Sequence, residues 1–207
     1  MRNDLLKRCS IPLRGAAVIA GLLALNTPAF AHTTSGQANG FVTGFLHPLS
    51  GLDHVLAMVA VGIWGAQLKR PAIWILPVAF PIVMSIGGLL GVRGVPLPGV
   101  EVGVAASAVV LGFAILLELR PPLWIAAAIV SAFAIFHGHA HGTELPKAAS
   151  PLTYALGFVL ATGWLHLCGI LFGLVEVWPT GAKLLRTAGA FIAGIGVFLL
   201  AGMVTHL

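Results

Sequence analysis

The chain has 207 residues, 58% of them hydrophobic and 8% charged, with a mean hydropathy of +1.02 and a formal charge of +5. A water-soluble domain of this length cannot hide that much apolar surface, because a large share of its residues must face water. Nor does the charge indicate nucleic acid: Arg2, Lys7, Arg8 and Arg14 against Asp4 put three of the five positive charges in a leader, and no basic patch remains.

That leader comes first. "MRNDLLKRCSIPLRG" is a basic opening, "AAVIAGLLAL" a short apolar core, and "NTPAFA" ends in the A-x-A cleavage pattern Ala29-Phe30-Ala31. A signal peptide is therefore expected over 1–31 and a membrane domain over 32–207. Cys9 leaves with the leader and Cys168 stands alone, so no disulfide framework is expected. Cleavage after Ala31 makes His32 the first residue of the mature chain. Its α-amine and imidazole have near-neutral reference pKa values and can chelate one metal ion together. The polar, Gly-rich run "HTTSGQANG" behind it is read as extended and flexible enough to fold back.

Six apolar segments follow, at about 48–68, 72–92, 99–119, 122–141, 151–176 and 184–206, each near the ~20 residues that cross a bilayer as a helix. The expected fold is an all-α polytopic membrane protein with six transmembrane helices after a cleaved N-terminal signal peptide. A cleaved leader puts the mature N-terminus outside, and six spans return the C-terminus to the same side. Lys69, Arg70, Arg120, Lys183 and Arg186 then lie in cytoplasmic turns, against Arg93 and Lys147 in outer ones, as the positive-inside rule demands. The expected location is the cell (inner) membrane, with both termini periplasmic. "GILFG" and Gly189, Gly194 and Gly196 suit helix packing and allow a homo-oligomer.

The chemistry gathers in two motifs. In "HPLSGLDH", His47 and His54 are seven apart and share a face of a helix that begins near His47, with Pro48 in its first turn and Asp53 to one side. In "FHGHAHGTE", His137, His141 and Glu144 fall at i, i+4 and i+7, one stripe, while His139 points away. Imidazoles and carboxylates without thiolates suit Ni(II), Co(II), Cu(II), Zn(II) or Fe(II), and are too nitrogen-rich for Ca(II) or Mg(II). Ionisable groups in a bilayer are costly, so such a cluster reads as function; a buried hydrogen-bond network is the plainer alternative. His166, in the middle of the fifth segment, reads first as a packing histidine donating to a helix carbonyl and second as part of a pathway.

The pair of motifs resembles the HupE/UreJ family: H-x5-D-H at His47, Asp53 and His54, and F-H-G-x-A-H-G-x-E from Phe136 to Glu144. The resemblance extends across nearly the whole chain. It implies a secondary permease that supplies nickel, with His47, Asp53, His54, His137, His141 and Glu144 as the functional polar residues. His139 falls at the variable position of the second motif. The leading expectation is thus import of a divalent metal, Ni(II) foremost with Co, Fe or Cu as alternatives, at a site where the first and fourth spans pack together. His32 is added to the ligands. No cofactor is expected beyond that metal; the partners are the metal ion and the lipid bilayer, without nucleic acid. No G-x-x-x-x-G-K-[ST] motif offers ATP-driven transport. Two rival readings are an intramembrane zinc metalloenzyme, with Glu144 or Asp53 as general base, and a metal-binding sensor or delivery subunit.

Overall fold

A computed structural model of the chain describes residues 40–144 and 150–205. The leader, the Ala31-His32 junction and Lys147 lie outside the described residues, so the expectations placed on them do too. The described residues form helices joined by short turns: α1 Gly40–Ser50, α2 Leu52–Leu68, α3 Ala72–Val92, α4 Val100–Leu116, α5 Leu123–Thr143, α6 Pro151–Gly173 with a 3-10 turn at Leu174–Val177, and α7 Gly181–Thr205.

Each expected apolar segment is a helix, but not each is a simple span. Four are long and apolar enough to cross a membrane: α3, α5, α6 with its 3-10 turn, and α7. The first expected span is two helices, α1 and α2, bent by 82°. The third, α4, has only 17 residues. The helix expected to begin near His47 instead begins at Gly40, and Pro48 lies in its interior. The break comes three residues later, at Gly51, whose backbone is extended (φ −97°, ψ 118°). Glycine-rich "GFVTGFL" has little helical propensity of its own. It is helical because it packs on α6: a Cβ on Gly44 would strike the Tyr154 carbonyl, and one on Gly157 the Phe41 carbonyl.

The same device holds the other pairs. On α5, a Cβ at Gly138 would collide with the Met84 carbonyl oxygen of α3, and one at Gly142 with that of Gly88. Gly112 of α4 meets Ala193 of α7, and Gly62 of α2 meets His166 and Gly169 of α6. Backbones this close gain dispersion contacts along their length, which drives association where lipid offers no hydrophobic gain. Gly169 and Gly173 of "GILFG" thus pack against α2 of the same chain.

α2 lies at the centre, flanked by α3, α4 and α6, and its residues from Ala57 onward are almost all buried. Its far end is pinned where the Trp64 indole donates to the Leu119 carbonyl at 2.9 Å. Around this centre the outward faces are apolar, with Ile82 and Ile86 of α3, Leu160 and Trp164 of α6, and Phe198 of α7 all exposed. Such a surface suits lipid. At the same end as Trp64, Glu176 pairs with Arg120 at 2.9 Å.

Candidate metal centre

The 82° bend decides the geometry of the site. His47 and His54 do not share a stripe; they stand on two helices that meet at Gly51, and both reach the ring of His141. His47 Nε2 is 2.8 Å from His141 Nδ1 and 3.1 Å from Glu144 Oε2. His141 Nε2 is 2.9 Å from His54 Nδ1, which in turn is 3.0 Å from His137 Nδ1. His137 Nε2 ends the chain 2.9 Å from the Ser107 hydroxyl. Two overlapping groups could hold a metal: His54, His137 and His141, which are mostly buried, and His47, His141 and Glu144, nearer the surface. α5 packs on α3 and α2 on α6, so the first and fourth expected spans meet through these imidazoles rather than backbone to backbone.

The hydrogen count along this chain does not close. Ser107 donates its proton to the Val104 carbonyl at 2.6 Å, so it accepts from His137 Nε2–H, and His137 Nδ1 is bare. At the other end Glu144 is a carboxylate. The neighbouring His141 ring, with His47 beyond it, holds its carboxyl below the ordinary 4.5, against a smaller opposing effect of partial burial. With the single His47 Nε2–H shared between Glu144 and His141 Nδ1, His141 carries its proton on Nε2 and donates it to His54 Nδ1. With every ring neutral, the bare nitrogens of His54 and His137 then face each other across 3.0 Å. His54 Nε2, on the other edge of that ring, is buried without a partner. Bare nitrogens brought together in a buried pocket are a place for a cation.

Tyr154 and Phe158 of α6 wall the site; the Phe158 ring lies 4.7 Å from His141 and 5.5 Å from His54 between centroids. Asp53 stands outside both ligand groups. It accepts the His54 backbone N–H at 2.8 Å in the first turn of α2, where an acid also complements the helix dipole. His139 is on the far side of α5 and donates to the Val95 carbonyl at 2.7 Å, anchoring the turn after α3. Ser107 escaped the sequence reading, because a lone serine in an apolar helix carries no motif. Its role predicts an effect. Ser107→Ala frees the His137 tautomer, and Ni(II) affinity measured by equilibrium dialysis should fall by about 10–100-fold, as for other groups that orient a ligand.

The chain as a whole can now be placed. The family described as HupE / UreJ protein matches residues 20–199. The chain belongs to this family. Protein HupE from Rhizobium leguminosarum bv. viciae is 42% identical over 191 residues, covering 92% of this chain and 100% of the relative. No solved structure matches. The HupE/UreJ resemblance read from the two motifs therefore stands, and the histidine network joins those two motifs in a helical membrane protein.

A titration separates Glu144 from the rest. Because its pKa is lowered, the stability its charge lends is present above the ordinary 4.5 and is lost only as pH falls through the lowered value. Glu144→Gln should therefore weaken Ni(II) binding by a constant factor between about pH 5 and 8. A factor that grows with pH across that range would show that Glu144 titrates there.

Proposed function

We propose that this protein is a permease for a divalent transition metal, Ni(II) foremost, which it takes up at the histidine network and passes across the membrane. The opposed nitrogens of His54 and His137, 3.0 Å apart, carry this reading. Imidazole nitrogens with a carboxylate nearby and no thiolate suit Ni(II), Co(II) and Cu(II) as well as Zn(II). His54, His137 and His141 form the inner shell of the site, and His47 and Glu144 receive the ion from solution. Asp53 adds negative charge beside them.

In the same reading the bent α1–α2 pair is one span and the short α4 another, which makes six. With the leader removed after Ala31, the histidine end faces the periplasm and the basic turns at Lys69–Arg70 and Lys183–Arg186 face the cytoplasm. The metal is cargo here and not a catalyst, and "H-E-x-x-H" is absent from the chain. The test is uptake by vesicles holding the purified protein, with Ni, Co, Cu, Fe and Zn in competition. Metal that binds without entering would make the protein a sensor or delivery subunit.

His32 joins the site if the leader is cut as read. N-terminal sequencing should find His32 first. One alanine inserted before it should then weaken Ni(II) affinity, since it moves the α-amine off the chelate. Unchanged affinity would make His32 a bystander.

A further inference from the structure

Deeper in the bundle, His166 of α6 is 1% exposed, and neither of its ring nitrogens has a hydrogen-bond partner. The expected packing histidine donating to a carbonyl is met in part: the Pro77 carbonyl of α3 lies against the ring as a backbone partner, though the contact does not close a hydrogen bond of normal geometry. That carbonyl is itself free of the helix ladder, because its usual donor, the N–H four residues on, is missing at Pro81. One turn from His166 on the same face, the Thr162 hydroxyl is 0% exposed and also unpartnered. An imidazole with two unmet nitrogens is costly to bury, and an apolar residue would pack there at less cost. Ionisable groups within a membrane core are costly, and an unsatisfied one is read first as functional.

The position links this spot to the metal centre. Tyr154, Phe158, Thr162 and His166 are spaced four apart and form one ridge of α6, buried along its length. The outer half of the ridge walls the metal centre; the inner half carries the orphan hydroxyl and ring. The Phe80 side chain, fully buried, lies 5.7 Å from the His137 ring and 5.4 Å from the His166 ring between centroids.

We propose that His166, the Pro77 carbonyl and the Thr162 hydroxyl form a second, weaker station for the divalent metal, reached from His54 and His137 past the ring of Phe80. One imidazole and two neutral oxygens bind less tightly than three imidazoles, so the ion can leave, as conduction through successive sites requires. The direction of travel rests on the permease reading; the existence of the station does not.

Two measurements on the full-length protein test it, with Co(II) and Ni(II) as probes. In detergent at saturating Co(II), His166→Leu should hold one ion fewer than the unaltered protein, with the affinity of the first ion unchanged. In vesicles its Ni(II) uptake should slow by about tenfold or more. Thr162→Val, nearly isosteric, should weaken the second ion and spare the first, and it decides the matter if His166→Leu does not fold. An unchanged number of bound ions, or uptake at the unaltered rate, overturns the station. So does loss of both ions in His166→Leu with none lost in Thr162→Val. Two bound ions without any uptake by the unaltered protein would sink the permease reading and leave the station standing.

Discussion

His54→Ala is expected to abolish Ni(II) uptake by vesicles, a loss of at least about 100-fold, beyond what removal of an orienting neighbour costs. His54 Nδ1 is the hinge of the network, 2.9 Å from His141 and 3.0 Å from His137. Without it the buried group loses its middle ligand, and the His47–His141–Glu144 group no longer connects to His137. His137→Ala should be equally severe, since it removes the opposing nitrogen and strands Ser107. Neither change adds volume to a close-packed helix pair, so both variants should insert and elute as the unaltered protein does. Near-normal uptake by either one, with protein levels matched, would remove this site from the pathway.

Gly138→Val is expected to destabilise the fold strongly and to disrupt the metal centre. The residue sits between His137 and His139 where α5 crosses α3, and a Cβ there runs into the Met84 carbonyl and the Gly88 nitrogen. Both obstacles are backbone, so neither can rotate away. Overpacking of this kind costs about 1–3 kcal/mol and sometimes more. Pushing α5 off α3 also moves His137 and His141 away from His54. Gly194→Ala is the matched control: nothing lies within 4 Å of a Cβ there, and alanine favours a helix by up to about 1 kcal/mol over glycine. Thermal unfolding in detergent should show Gly138→Val melting well below the unaltered protein and Gly194→Ala at or above it. Equal melting points would mean that the α3–α5 contact is looser than described.

The helical class and most helix boundaries were legible because runs of Leu, Ile, Val and Ala long enough for a bilayer leave few other structures open. Ala72–Val92 was read to the residue. The two motifs were legible too, since histidines and carboxylates are conspicuous in a chain that is 8% charged. α1 was not. Its residues Gly40, Gly44 and Pro48 are poor helix formers, and only α6, lying against them, makes that segment helical. With α1 missed, the bend at Gly51 could not be seen, and His47 and His54 were placed on one stripe instead of either side of a corner.

The amino-acid sequence by itself determined that this chain is a bundle of apolar helices with imidazoles and carboxylates concentrated in two short motifs, because residue type and local spacing suffice for that. Tertiary structure alone decided which nitrogens face each other, that Ser107 sets the tautomer of His137, and that His166 is left unpaired beside Phe80. Those are relations between helices up to 94 residues apart along the chain. They depend on where glycines let backbones touch, and a glycine's partner is written in the opposing helix rather than in its own neighbours.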